Sequence, residues 1–180
     1  LTSAGGITDS AATTLAVTGL ATITNAGAGV ITLGGDAGDT TNFGTLNLNG
    51  TTVTVNEDSS TELTGVTATG GLSLTSAGGI TDSAATTLAV TGLATITNAG
   101  AGVITLGDDA GDTTNFGTLN LDGTTVTVSE SSATELTGVS ASTLTLTSSG
   151  DVTDSAGTAI SVTGLATITN AGAGVITLGG

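Results

Sequence analysis

The 180-residue sequence contains no lysine, arginine, histidine, cysteine, methionine, tryptophan, tyrosine or proline. Because neutralising phosphates requires lysine or arginine, the composition excludes nucleic acid as a partner. Without cysteine, neither disulfides nor thiolate metal sites can form. No apolar run approaches the ~18 to 20 residues of a membrane-spanning helix, so we also expect no membrane insertion.

The same absences remove most catalytic chemistry. No base is poised near neutral pH, no side-chain cation can stabilise an anionic transition state, and no thiolate is present. A pair of carboxylates could still hydrolyse a glycoside, but that site needs a cleft with aromatic side chains. Phe43 and Phe116 are the only aromatic residues, and we expect both in the core. The composition predicts a protein that is not an enzyme and has no organic cofactor.

The residues that are present favour β-strands. The chain is 37% hydrophobic, with 30 glycines and a net charge of -15. Valine, isoleucine and leucine recur at a spacing of two and alternate with β-branched threonine, which is typical of strands. The glycine content and the dense threonine make every window a poor helix. We therefore predict an all-β fold.

A long internal repeat organises the chain. The segment LTSAGGITDSAATTLAVTGLATITNAGAGVITLG begins at Leu1 and recurs at Leu74, which defines a 73-residue repeat. A third copy opens at Leu146 and has lost one residue. We predict a single solenoid over 1–180, with repeat 1 at 1–73, repeat 2 at 74–145 and a partial repeat 3 at 146–180. Since the last residues, VITLGG, stop in mid-pattern, we expect the segment to belong to a longer array.

Each long repeat divides into three weaker units of roughly 20 to 27 residues, the length of one solenoid coil. Tight coils without regular hairpin turns stack equivalent strands into parallel sheets. The pattern predicts a right-handed parallel β-helix (β-solenoid) with about three coils per 73-residue repeat. Aligning the alternating apolar residues assigns three inward faces. The first holds Ala21, Ile23, Leu46, Leu48, Leu72 and Leu74; the second holds Ile31, Leu33, Val53, Val55 and Ile80; the third holds Leu63, Val66, Leu88, Val90, Phe43 and Phe116.

The strand motifs LATITNAGAGVITLG and FGTLNLNGTTVTV resemble the repeats of filamentous-haemagglutinin-type bacterial surface adhesins. The resemblance covers essentially the whole chain. It implies a right-handed parallel β-helix at the cell surface that serves attachment and biofilm formation. Its expected partners are copies of itself or continuing repeats end to end, together with glycans or other cell-surface components. The function this implies is a structural segment of an extracellular fibre or adhesin stalk.

Acidic residues on a glycine-rich corner are the best metal candidates. Asp36 and Asp39 lie in GGDAGDTTN, and Asp108, Asp109 and Asp112 lie in its copy GDDAGDTTN. Clustered oxygen donors suit Ca²⁺, the single candidate ion. The alternative is a solvated turn in which aspartate accepts hydrogen bonds from backbone amides. A further acidic cluster, Glu57, Asp58 and Glu62, is thinned to Glu130 and Glu135 in the next copy, which predicts a merely solubilising turn.

Outward threonines are the second candidate surface. Thr22 and Thr24, Thr95 and Thr97, and Thr167 and Thr169 occupy equivalent strand positions, and we expect these pairs to form ranks on one flat face. Such a face could bind ice or glycans, which is the alternative function. Threonine is also the ordinary choice for an exposed strand position. Asn25, Asn98 and Asn170 follow these strands, and there we expect a structural corner in which the side chain satisfies backbone groups.

Overall fold

The structure is a computed structural model that describes residues 1–179. Gly180, the last residue of the predicted third repeat, lies outside the described residues. The described part is all-β, and none of its segments forms a helix long and apolar enough to cross a membrane. Its strands are β1 (Thr2–Ser3), β2 (Ile7–Thr8), β3 (Thr14–Asn25), β4 (Val30–Leu33), β5 (Thr40–Gly50), β6 (Thr52–Glu57), β7 (Thr61–Ala68), β8 (Leu72–Ser76), β9 (Ile80–Asp82), β10 (Thr87–Asn98), β11 (Val103–Leu106), β12 (Thr113–Glu130), β13 (Thr134–Ser148), β14 (Val152–Asp154), β15 (Ile160–Val162), β16 (Ala166–Asn170) and β17 (Ile176–Thr177).

The strands pair in parallel with strands one turn further along the chain. Ile31 of β4 pairs with Val53 of β6, which pairs with Leu72 of β8. Leu72 in turn pairs with Ala94 of β10. The chain therefore winds into a β-solenoid of about 8 turns with about 22 residues in each turn. The predicted all-β parallel β-helix is confirmed.

Alternation along each strand fills the centre of the coil. In β6 the side chains of Val53 and Val55 are fully buried, while Thr52 is exposed and Thr54 is half-buried. Because successive strand residues point to opposite faces, each strand delivers every second side chain to the core. Burying one such aliphatic side chain stabilises the fold by about 1.5–3 kcal/mol. Phe43 and Phe116 lie in this core at 5% and 2% exposure, as predicted.

The apolar residues predicted to point inward are buried, but the predicted grouping into faces is partly wrong. Leu72 and Leu74 stack on Val53 and Val55, and not on Leu46 and Leu48. Ile80 pairs with Thr61 on one side and with Ile104 on the other. The physical reason is that turns differ in length. Corner loops absorb different numbers of residues, so strands that look equivalent in sequence belong to different sheets.

A long repeat is not a whole number of turns. One column of stacked residues passes from Glu62 through five turns to Thr167, with Thr81, Thr105, Thr127 and Thr145 between them. At about 22 residues in each turn, a 73-residue repeat covers the predicted three coils and part of a fourth. Ile31 and its copy Ile104 accordingly lie in different columns. Consecutive repeats place the same residues on different sides of the rod.

Glycine is required where the chain turns tightly against the turn below. A Cβ at Gly117 would lie 1.9 Å from the carbonyl oxygen of Thr91, and a Cβ at Gly100 would lie 1.9 Å from that of Ala77. No side chain fits at such distances, so only glycine, which has no Cβ, can occupy these corners. The repeat carries this requirement with it, since Gly44 and Gly27 meet the same obstacle in the first copy.

Candidate functional site

The first acidic corner brings together Asp36, Asp39 and a third carboxylate, Asp9. One oxygen from each lies within 4.8 Å of the others. Asp39 accepts a hydrogen bond from the backbone N–H of Thr13 through Oδ1 at 2.9 Å and from that of Asp36 through Oδ2 at 2.8 Å. One carboxylate thus closes its own turn and ties that turn to the coil below. These bonds are those expected of the structural alternative.

The second acidic corner repeats this arrangement. Asp112 Oδ1 accepts from the N–H of Thr86 and Asp112 Oδ2 from the N–H of Asp109, both at 2.8 Å. Asp108 and Asp109 are exposed on the loop. The corner therefore presents the carboxylates of Asp108 and Asp109 to solvent, while the carboxylate of Asp112 is engaged by backbone amides. Calcium binding at either corner stays a prediction.

Asp9, Asp82 and Asp154 were not predicted as site residues, yet they have a common structural role. Each accepts a hydrogen bond from the backbone N–H of a glycine one turn further on: Gly34 at 2.9 Å, Gly107 at 3.1 Å and Gly179 at 3.0 Å. These glycines have positive φ. The available signal was spacing, because Asp9 and Gly34 lie 25 residues apart, within the predicted coil length of roughly 20 to 27 residues.

Asp82 is the most perturbed of the carboxylates. It pairs with Leu63 in a core column and is 8% exposed. Burial raises the pKa of Asp82 to about 6; the hydrogen bond from Gly107 opposes the rise, and the Asp112 and Asp108 carboxylates add to it. Among apolar side chains a carboxylate loses contact with water, and this loss disfavours its ionised form. Asp82 is therefore a titrating group inside the rod.

The cluster predicted as a solubilising turn contains a buried structural residue. Glu57 is 3% exposed, and its Oε1 accepts from the N–H of Phe43 at 2.8 Å while its Oε2 accepts from the Thr61 hydroxyl at 2.6 Å. Its copy Glu130 accepts from the N–H of Phe116 at 2.7 Å, and burial raises the pKa of Glu130. Asp58 and Glu62 are exposed, but they also connect turns: Asp58 Oδ2 accepts from the N–H of Thr41 at 2.8 Å, and Glu62 Oε1 accepts from the Ser83 hydroxyl at 2.6 Å. The prediction is wrong for Glu57 because this residue is on the inward side of β6, together with Val53 and Val55, although the residues after it are polar.

The corner asparagines are structural, as expected. The side-chain amides of Asn25 and Asn98 donate to the carbonyl oxygens of Gly5 and Gly78, one turn below. Asn170 donates to Gly150 at 2.5 Å and accepts from the N–H of Gly172 at 2.8 Å. A short amide side chain thereby supplies the hydrogen bonds that the bent backbone cannot make.

The predicted single face of threonines is not formed. Thr22 pairs with Asn47, Thr95 with Ser73, and Thr167 with Thr145, so the three equivalent residues lie in three different columns. Thr24, Thr97 and Thr169 are separated in the same way, with Asn49, Thr75 and Thr147 as partners. The reason is that a 73-residue repeat is longer than three turns of about 22 residues, so each new repeat begins part of the way round the rod. An ice-binding surface therefore cannot be assembled from these six residues on one side.

A different threonine column is present, and it crosses the boundaries between the sequence repeats. Thr81, Thr105, Thr127, Thr145 and Thr167 stack over successive turns, and all of them are half-buried or exposed. Only the strand register reveals this set, because its members occupy non-equivalent positions of the 73-residue repeat.

Parallel stacking, glycine-dependent corners and carboxylates that tie each turn to the next define a tandem-repeat β-solenoid. Within that class, the chain belongs to a family described as repeats of unknown function (DUF5649), whose model matches residues 49–122 and 123–180. The first match spans nearly the same length as the 73-residue period. No curated protein matches the chain. No solved structure matches it either.

Proposed function

We propose that the chain is a structural, non-enzymatic segment of an extracellular fibre or adhesin stalk. The observation that supports this most directly is the unbroken stacking of one column from Glu62 to Thr167 through five turns. A column that continues across repeat boundaries makes a rod whose length is set by the number of repeats. The resemblance to filamentous-haemagglutinin-type adhesins supports the cell-surface location.

The axial partner in this proposal is a continuing coil or another copy. The first turns leave an apolar cavity of about 770 Å³ lined by Leu15, Val17, Leu20 and Phe43. At the other end, Ile176 is 45% exposed, whereas its copies Ile31 and Ile104 are fully buried. Apolar side chains in these positions are stabilised when a further turn covers them. Glycans or other surface components would then contact the sides of the rod.

The residue inventory supports the non-enzymatic part of the proposal. The side chains that supply most general bases and cations are missing, and the carboxylates Asp39, Glu57 and Asp112 accept hydrogen bonds from the chain's own backbone. A carboxylate committed to backbone amides is held in place as part of the fold. The acidic corners also recur once in each long repeat, which is typical of a repeated structural element and not of a unique catalytic site.

Duplicating one period, residues 36–108, tests the rod. Because the insertion keeps the repeat in phase, we expect the longest dimension in small-angle X-ray scattering at low concentration to grow by about 16 Å, slightly more than three turns at ~4.8 Å each. The cross-section should stay constant. A thicker particle, or an unfolded insert in circular dichroism, would argue against a solenoid that extends by repeats.

The location is tested separately. Antibodies to the chain should label intact, non-permeabilised cells of the source organism, and electron microscopy should place the label on projections from the surface. Label that appears only after permeabilisation would overturn the extracellular part of the proposal and leave the rod itself standing.

A further inference from the structure

Each long repeat builds one sheet face without a charged side chain. The first uncharged face comprises the outward residues of β4, β6, β8 and residues 93–97 of β10, with Thr32, Thr54, Ser73 and Thr95 as its central column. The second comprises the outward residues of β11, residues 125–129 of β12, residues 143–147 of β13 and β16. Its central column is Thr105, Thr127, Thr145 and Thr167. Both columns are half-buried or exposed throughout.

The distribution of charge sets these faces apart. The chain has 15 carboxylates and no side-chain cation, and none of those carboxylates lies among the outward residues of either face. Acidic residues mark where the faces end: Thr97 pairs with Asp122 in the next turn, and Thr81 pairs with Glu62 in the turn below. Two such acidic rods repel each other over about a Debye length, ~8 Å at physiological salt, wherever their charged corners meet. The uncharged faces are where two rods approach at the lowest electrostatic cost.

The faces also offer matching contacts. Hydroxyl groups both donate and accept hydrogen bonds, so one threonine column can pair with another. Exposed apolar side chains lie beside the columns, with Leu93 and Val103 each 43% exposed and Leu165 71% exposed. Rows on both partners repeat at the same ~4.8 Å spacing between turns. A cationic partner would instead be drawn to the acidic corners.

We infer that these faces are lateral docking surfaces for a second copy of the chain, so that rods associate side by side. This inference rests on the proposed rod. Because successive repeats place the face on different sides, one rod meets neighbours on more than one side, which favours bundles over simple pairs. One face of four turns covers about 300 Å², well below the ~800 Å² per partner of a stable interface. Association of this chain is therefore weak, and longer arrays strengthen it by adding faces.

The test compares two variants that each gain three negative charges. The face variant carries Thr54→Glu, Thr127→Glu and Thr145→Glu. The control variant carries Thr67→Glu, Thr91→Glu and Ala110→Glu, at exposed positions outside both faces. Sedimentation and small-angle scattering are measured over a concentration series from about 0.05 to 1 M NaCl with EDTA, so that screening is varied while divalent cations are absent.

For the unmodified chain we expect the mean mass and the cross-sectional radius to rise with concentration at high salt. The association constant should fall about tenfold or more in the face variant and stay within about twofold in the control. Circular dichroism melts of both variants check that each one folds.

Three results would overturn lateral docking: no association of the unmodified chain at any salt, growth in length at constant cross-section, or equal effects of the two variants. The low-concentration scattering of the same samples reports the rod dimensions independently. Loss of lateral association with rod dimensions intact would therefore leave the proposed function untouched.

Discussion

At the scale of single residues, aspartates make the connections between turns that mixed charges could make in other solenoids. With no side-chain cation available, the donors left for a carboxylate inside the described structure are hydroxyls, asparagine side-chain amides and backbone amides. Asp39, Asp82 and Asp112 each accept from an N–H one turn away. Such charge-assisted bonds are about twice as strong as neutral ones, and they connect turns that are far apart in sequence.

Asp82→Asn should change how stability depends on pH. The folded pKa of Asp82 is raised from 3.8 to about 6, so between these values the folded chain holds a proton that the unfolded chain has released. The contribution of Asp82 to stability is therefore greatest below about pH 4 and is lost as the pH rises through 6. Asparagine keeps an oxygen for the Gly107 N–H and carries no charge. We expect the variant to be more stable above pH 6, on the order of 1–3 kcal/mol, and to lose that advantage below pH 4.

Urea unfolding followed by circular dichroism from pH 3.5 to 8 measures this difference. Asp122→Asn is the matched control, because it removes the same charge from an exposed position. Glu130, whose pKa is also raised, contributes equally to all three proteins. If the control altered the pH profile as much as Asp82→Asn, general charge repulsion would be the cause and the buried carboxylate would not.

Asp39→Ala separates the structural role of the acidic corner from calcium binding. Removing this carboxylate leaves the amides of Thr13 and Asp36 without their partner, so we expect a loss of about 1–3 kcal/mol in EDTA. Asp122→Ala, at an exposed residue, should cost much less. Thermal melts in EDTA and in millimolar Ca²⁺ are compared for each protein. A rise in the wild-type midpoint with Ca²⁺ that Asp39→Ala lacks would establish the predicted calcium site.

At the scale of elements, the strands follow from local alternation, and the corners follow from what the neighbouring turn allows. The T-x-T and V-x-V patterns place threonine outward and aliphatic residues inward in β6 and in residues 125–128 of β12. Nothing in a strand by itself says which turn it will stack on. That choice depends on how many residues each corner absorbs: Leu46 finds its partner in the nearby Leu63, whereas Leu88 pairs with the more distant Thr114.

Gly117→Ala should therefore destabilise the rod even though alanine is the smallest possible change. The added Cβ would lie 1.9 Å from the Thr91 carbonyl oxygen and 2.7 Å from its carbon, and backbone atoms cannot move aside cheaply. We expect a loss of about 1–3 kcal/mol, which lowers the melting temperature by several degrees.

Gly19→Ala provides the control for this corner. A Cβ at Gly19 meets nothing within 4 Å, so the same substitution should leave the melting temperature unchanged or raise it slightly. Equal destabilisation by both variants would mean that lost glycine flexibility matters, and that contact with the turn below does not.

At the scale of the whole molecule, the mismatch between repeat and turn decides which surfaces exist. A 73-residue period is longer than three turns and shorter than four, so each repeat begins part of the way round the rod and a feature present once per repeat follows a spiral. The acidic corners are distributed in this way, and so are the uncharged faces. Among the described residues neither uncharged face runs the full length of the rod, whereas neighbours approaching from several sides each find a face.

Much of the candidate site was visible in the sequence. The acidic corners Asp36–Asp39 and Asp108–Asp112 were found because glycine and aspartate cluster there. Their partner Asp9 was missed, since its proximity depends on winding the chain once round. Glu57 was assigned to a solubilising turn because its acidic cluster is thinned in the next copy, and only the position of Phe43 on the adjacent turn explains its burial.

The sequence by itself determined the secondary structure, the repeat, the inward residues and the lack of histidine, cysteine, lysine and arginine, because alternation and composition are local properties. The tertiary structure decided which residues share a side. Stacking register is set by the number of residues in each corner, and the part of a turn left over per repeat moved Thr22, Thr95 and Thr167 into three separate columns. The surfaces of this rod thus depend on the number of residues in each turn relative to the length of the repeat.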